Sequence, residues 1–224
     1  MDDNLWQGRR VATLLIDLDG TLIDSFPGIR DSFLKAVAAA GWPTPEEDFV
    51  AGIAGPPMEQ TLTRLGMDKA TVTRTLETYL RFYGDTGVHN ATPFPGMREL
   101  LEKLKASGHT LCTATSKGEH FARLSLDRFD MFEFFDVFAA AEENGARRTK
   151  AQVIAYCIEQ LGDRFDPADT LMIGDRSHDI DGANQFGIPT VAVGWGYGNE
   201  EEYAQARWVA RTRQELEDII CDFS

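Results

Sequence analysis

The chain has no long apolar run and very little cysteine. None of its apolar stretches approaches bilayer length, and Met1 to Arg10 lack the apolar core of a secretion signal, so neither a membrane span nor an exported protein is expected. Cys112, Cys157 and Cys221 stand far apart, without CxxC or Cys/His spacing. That excludes a disulfide framework, gives no zinc site, and leaves three reduced thiols in a cytoplasmic protein. Basic residues are outnumbered, 22 against 36 acidic, for a net charge of −14. Nucleic acids and anionic membrane surfaces require a basic face to displace counterions, so a small molecule is the expected partner. Internal repeats and low-complexity tracts are absent too.

What is present is an ordinary globular composition, 43% hydrophobic and 26% charged, over 224 residues. That length fits one large domain, or one domain carrying a smaller insertion. The organising stretch is residues 11–25, VATLLIDLDGTLIDS. An apolar, β-rich run stops at Asp17 and Asp19, then at Gly20 and Thr21, as when a buried strand delivers polar groups to its C-terminal edge. The side-chain period of two places both aspartates on one side, and two such carboxylates invite a metal ion or a shared proton. Asp-Gly-Thr is equally ordinary turn chemistry.

Phe26-Pro27-Gly28 reads as a breaker, followed by a helix over 29–40 with Ile29, Phe33, Val37 and Ala40 on one face. Thr44-Pro45 reads as the start of a short helix reaching Val50, and 58–65 and 69–83 read as two more. Thr92-Pro93-Phe94-Pro95-Gly96 closes this all-helical region. The expected division is therefore an α/β core formed by residues 1–26 and 92–224, with a helical cap, 27–91, inserted between hinges. The cap's charge is nearly balanced, six basic against eight acidic residues, and suggests no macromolecular partner.

From Gly96 onward helices and strands alternate. Helices are expected over 97–106, 119–128, 150–161, 179–186 and 214–220, and strands over 110–115, 137–140, 170–173, 190–193 and 208–210. Such alternation implies right-handed βαβ units and a Rossmann-like parallel sheet, with the site beyond the strands' C-terminal ends. Strand 110–115 ends in Thr115-Ser116-Lys117-Gly118, where a hydroxyl beside a helix start suits a phosphate oxygen or a simple N-cap. Lys150 falls in the first turn of its helix, on the unfavourable side of the macrodipole, so a partner elsewhere or a solvated position would account for it. Strand 170–173 runs into Gly174-Asp175-Arg176-Ser177-His178-Asp179, a second acidic strand end.

These four elements resemble, in order, the motifs of the haloacid dehalogenase-like hydrolases: Asp17-x-Asp19-Gly20-Thr21, Thr115, Lys150, and Gly174-Asp175 with Asp179. The likeness runs from Thr13 to Ile220, and the insertion is similar to that family's helical cap. The tract 149–203, with Trp195-Gly196-Tyr197-Gly198, is most similar to the phosphoglycolate phosphatase-like branch.

The resemblance implies a Mg²⁺-dependent phosphatase acting on a small phosphomonoester, phosphoglycolate among the candidates, through an aspartyl-phosphate. It makes Asp17 the nucleophile and a metal ligand. Asp19 becomes the general acid and base, and a metal ligand through its backbone carbonyl. Thr115 and Ser116 would bind phosphoryl oxygens, Lys150 would neutralise charge beside the nucleophile, Asp175 would bind the metal, and Asp179 would act through water or by holding Lys150. Charge points the same way: four aspartates against Lys150 leave −3, which repels phosphate until Mg²⁺ and one proton are added. Gly55-Pro56-Pro57 looks like the cap's specificity loop, with Arg30 or Arg64 available for an acidic leaving group or simply solvated. The alternatives are a sugar phosphomutase of the same family and a non-catalytic binding protein on the same fold.

Overall fold

The computed structural model describes residues 10–143 and 145–223; the N-terminal stretch read above, residues 1–9, lies outside the described residues. The first strand, β1 (Thr13–Ile16), is buried along its whole length, as a central parallel strand covered on both faces must be. A tight turn follows at Gly20, whose φ of +86° suits glycine. The short β2 (Ile23–Asp24) then leads into the helices α1 (Phe26–Ala39), α2 (Glu47–Ala51), α3 (Met58–Arg64) and α4 (Lys69–Asp85).

The chain returns through β3 (Thr92–Pro93), which pairs antiparallel with β2, Ile23 facing Pro93 and Asp24 facing Thr92. The two connections that bracket the helices are thus hydrogen-bonded to each other. Beyond them come α5 (Met97–Ala106), β4 (Thr110–Thr113), β5 (Thr115–Gly118), α6 (Glu119–Arg128) and β6 (Ala140–Ala141). The remainder is α7 (Lys150–Leu161), β7 (Thr170–Gly174), α8 (Ser177–Asn184), β8 (Thr190–Val193), α9 (Glu200–Tyr203), β9 (Trp208–Ala210) and α10 (Arg213–Phe223).

Five of these strands form the central sheet in the order β4-β1-β7-β8-β9, every neighbouring pair parallel. One apolar cluster covers one face, with Leu14, Ile16, Leu101, Leu111, Leu126 and Ile220 at its centre. Phe129, Phe132, Phe134, Phe135 and Phe138 pack into or against it, as core residues. Leu15, Cys112, Val153, Ile154, Cys157 and Met172 fill the other face, and Cys221, like Cys112 and Cys157, is a buried thiol outside any disulfide. Helices α1–α4 gather around a separate cluster centred on Phe33, Leu62 and Tyr79, to which Phe121, Leu124 and Tyr197 are added from outside.

Several expected boundaries move. α1 starts at Phe26, three residues early, because Pro27 sits in the first turn, where its missing N–H costs nothing. Gly28 stays because a Cβ there would stand 2.0 Å from the Gly87 carbonyl. α2 begins after Glu46, so Thr44 is not its cap. Expected strand 110–115 is two strands, since Thr115 leaves the central sheet to pair with Ala140. Expected strand 137–140 shrinks to a bridge at Val137 and the pair Ala140–Ala141. The Thr113 hydroxyl takes the place of a ladder partner there, donating to the Ala139 carbonyl at 2.9 Å and accepting the Ala139 amide hydrogen at 2.8 Å. α8 begins at Ser177 and ends at Asn184, earlier at both ends than 179–186. No described helix is long and apolar enough to cross a membrane.

Candidate active site

Because β1 and β7 are neighbours in register, with Ile16 beside Ile173, Asp17 and Asp175 leave the same edge of the sheet. The Asp17 amide donates to the Ile173 carbonyl at 3.0 Å, extending the ladder by one bond to the tip. Carboxylate oxygens of Asp17, Asp175 and Asp179 all lie within 4.8 Å of one another, and all three residues are buried. Residues separated by more than 150 positions therefore share one point.

Lys150 closes this point from beneath. Its ammonium lies 2.9 Å from Asp17 Oδ1 and 2.7 Å from Asp179 Oδ1, and it donates to the Ala114 carbonyl at 2.6 Å. The unfavourable helix-terminus position is thereby offset by two carboxylates and a carbonyl. Thr149 and Gln152 form a capping box that starts the helix there. Burial alone would lower the lysine's pKa, but Asp17 and then Asp179 carry it above the ordinary value. Asp179 Oδ2 accepts the amide hydrogens of Asp175 and Arg176 at 3.1 and 3.0 Å, which fixes the loop after β7.

Two glycines shape the space around Asp175. A Cβ on Gly20 would stand 2.1 Å from Asp175 Oδ2, and one on Gly196 would stand 2.3 Å from Asp175 Cβ. Oδ2 accepts the Tyr197 amide hydrogen at 2.6 Å, while the buried Oδ1 has no hydrogen-bond partner among the described residues. Burial raises the Asp175 pKa well above the usual carboxylate range, and the neighbouring Asp179 and Asp17 add to the effect. Burial likewise lifts Asp17; Lys150 pulls it back and Asp179 pushes again, leaving it at about 6.

Asp19 faces elsewhere. Its carboxylate accepts from the Lys117 ammonium at 2.9 and 3.0 Å and from the Ser25 hydroxyl at 2.5 Å, outside the three-carboxylate cluster. Lys117 also donates to the Tyr83 hydroxyl on α4 at 2.5 Å. Thr115 is buried, its hydroxyl accepting the Lys117 amide hydrogen at 3.1 Å, and Thr115 and Ser116 line a cavity of about 120 Å³ together with Asp17 and Asp19. The Gly55-Pro56-Pro57 loop lines the same cavity. Arg30 and Arg64 do not: Arg30 points to Asp31 at 3.8 Å and Arg64 stacks over Phe49.

The sequence gives no role to Lys117 or Arg148, and the place of Tyr197 just past a strand end suggests only a residue bordering the pocket. Thr115 and Lys117 share a strand face at spacing two, a signal that was available. Arg148 faces Glu59, 89 positions away, which no local pattern discloses. The Tyr197 hydroxyl accepts the amide hydrogens of Ser25 and Phe26 at 2.8 and 3.0 Å and donates to Asp24 at 3.0 Å, so it anchors the start of α1.

Fold and site together define an α/β protein whose carboxylates converge at the end of a parallel sheet. The chain belongs to the haloacid dehalogenase-like hydrolase family, whose model matches residues 14–193. It is 41% identical over 194 residues to a protein named tyrosine-protein kinase PtkA from Mycobacterium tuberculosis, covering 87% of this chain and 66% of that one. The chain thus spans just under two thirds of that relative's length. A 5'-nucleotidase of Pseudomonas aeruginosa is 36% identical, over 86% of this chain and 87% of its own. Among solved structures, a predicted phosphatase from Clostridium acetobutylicum superimposes with a TM-score of 0.89 at 29% identity, covering 95% of this chain and 100% of that one. A phosphoglycolate phosphatase of Pseudomonas syringae pv. tomato matches at 26% identity, over 91% of this chain and 76% of its own.

Proposed function

We propose that the protein is a phosphatase hydrolysing a small phosphomonoester through a covalent aspartyl-phosphate on Asp17. The carrying observation is the meeting of Asp17, Asp175 and Asp179 within 4.8 Å of one another, with the Lys150 ammonium against two of them. In this reading residues 27–91 act as a cap over a core built from 1–26 and 92–224.

The donor set fits Mg²⁺, which prefers carboxylate oxygens, and the unpartnered Asp175 Oδ1 is an oxygen in want of a cation. Asp17, Asp175 and the Asp19 backbone carbonyl would hold the ion, with Asp179 beside them. When bound, Mg²⁺ would polarise a phosphoryl oxygen and offset the charge of the aspartates.

Asp17 attacks phosphorus through a carboxylate oxygen as the ester P–O bond breaks, and the leaving oxygen takes a proton from Asp19. Asp19 then removes a proton from water, which attacks the phosphoryl group and regenerates Asp17. Lys150 stabilises the added charge beside the nucleophile, and Thr115 and Ser116 orient the phosphoryl oxygens. The chamber wall keeps bulk water away during the first transfer.

The test is release of inorganic phosphate from a panel of phosphomonoesters, phosphoglycolate included, before and after chelation. Turnover that stops with EDTA and returns with Mg²⁺ is expected; no release from any ester would refute the reading. The 41% identity to a protein named as a tyrosine kinase favours a second reading, transfer of a phosphoryl group to a tyrosine hydroxyl. Formation of phosphotyrosine from ATP and a tyrosine-containing protein would establish that reading instead. A sugar phosphomutase would convert one sugar phosphate to another and release no phosphate.

A further inference from the structure

The wall facing Asp17 is built from α3, α4 and α6. Tyr79 and Tyr83 stack with ring centroids 5.7 Å apart, and Phe121 meets Tyr83 edge-on at 5.0 Å. Met58, Leu76 and Leu80 complete an apolar lining. Flat and greasy, this surface gains from an aromatic or apolar partner far more than from a small polar one.

The charges on the same lining are already matched. Lys117 is held by both oxygens of Asp19 and by the Tyr83 hydroxyl, which occupies its three donors. Arg148 grips Glu59 through Nε and Nη2, both at 2.9 Å, and its Nη1 goes to the carbonyls of Glu142 and Glu143. The remaining acid, Glu143, accepts the His120 amide hydrogen at 2.7 Å. Among the described lining residues Arg148 has no donor left for an anionic leaving group, and Lys117 is matched for as long as Asp19 is ionised. A carboxylate brought into the chamber would have to break a partly buried ion pair or stay unpaired beside two glutamates, and either is costly.

We infer that this chamber receives an uncharged leaving group with a flat apolar face, a nucleoside or an aryl alcohol, and rejects one ending in a carboxylate such as glycolate. The inference rests on the phosphatase reading above. Tyr79, Tyr83 and Phe121 provide the receiving face, and Glu59 sets the exclusion by neutralising Arg148. The phosphoryl step is unchanged, and the ester oxygen leaves as a neutral alcohol.

The experiment compares kcat/KM for phenyl phosphate, adenosine 5'-monophosphate and phosphoglycolate on the Mg²⁺-loaded protein. At least one of the first two should exceed phosphoglycolate by about 30-fold or more, and whichever ranks higher identifies the aryl or the nucleoside source. A smaller margin, or the reverse order, overturns the inference while leaving the phosphatase reading standing. Turnover of none of the three, nor of any ester on the broader panel, overturns both. Glu59→Gln should free Arg148 and lower the KM for phosphoglycolate about tenfold or more, with phenyl phosphate within threefold of wild type; an unchanged phosphoglycolate KM removes Glu59 from the mechanism of exclusion. Phe121→Leu gives a check independent of that pair: KM should rise for the preferred aromatic ester and hold for phosphoglycolate, and a rise for neither overturns the assigned face.

Discussion

Asp17 is where burial, a neighbouring ammonium and two further carboxylates act on one side chain. Replacing it with asparagine keeps the shape and removes the carboxylate oxygen proposed as the nucleophile. Asp17→Asn is expected to lower phosphate release at least about 1000-fold. Its melting temperature should match or exceed the wild type, because a buried acid raised to about 6 is itself a cost to the fold at neutral pH. Loss of the folded circular dichroism spectrum would instead make Asp17 structural. The same shift predicts how a divalent cation binds. Both Asp17 and Asp175 stand raised, so a cation must displace protons from them, and Mg²⁺ affinity measured by titration calorimetry should climb with pH from 5 to 7.5. Asp17→Asn should show a shallower climb; parallel slopes would remove Asp17 from the ligand set.

At the level of elements, helix α7 carries the interest because it must begin at Lys150 against its own dipole. Its start is fixed by the Thr149 and Gln152 box, and the ammonium then reaches Asp17 and Asp179. Thr149→Ala should cost about 1 kcal/mol in urea unfolding and also reduce kcat, since fraying the first turn loosens Lys150. A stability loss with no change in kcat would show that the lysine is held by its carboxylates alone. The expected boundaries failed at this scale for physical reasons. Pro27 extends α1 rather than preceding it, and the Thr113 hydroxyl substitutes for a strand partner. Both are local side-chain effects that override periodicity.

Across the whole molecule, Tyr197 ties the entrance of the helical region to the strand-end loop. Its amide holds Asp175 while its hydroxyl holds the Ser25 and Phe26 amides and Asp24. Arg176 makes a second tie, pairing with Glu202 at 2.9 Å and donating to the Ala54 carbonyl. Tyr197→Phe should destabilise the protein by about 1–3 kcal/mol, because the amides lose their acceptor. Mg²⁺ affinity should stay within threefold, since Asp175 is held by the backbone. A large fall in affinity without a stability change would mean that the hydroxyl acts on the carboxylate cluster itself.

The order of elements, the parallel sheet and the carboxylates at its edge follow from the sequence, because strand burial and helix periodicity are written in neighbouring residues. Asp17, Asp19, Thr115 and Asp175 could be picked out because each stands where an apolar run gives way to polar groups, and Lys150 and Asp179 because each falls at the start of the helix that follows. Which cation meets which acid was decided only when the chain folded. Lys117 with Asp19, Arg148 with Glu59 and Tyr197 with Ser25 join residues 98, 89 and 172 positions apart. Contacts of that kind have no period to betray them, and the first two set the charge of the cavity beside Asp17.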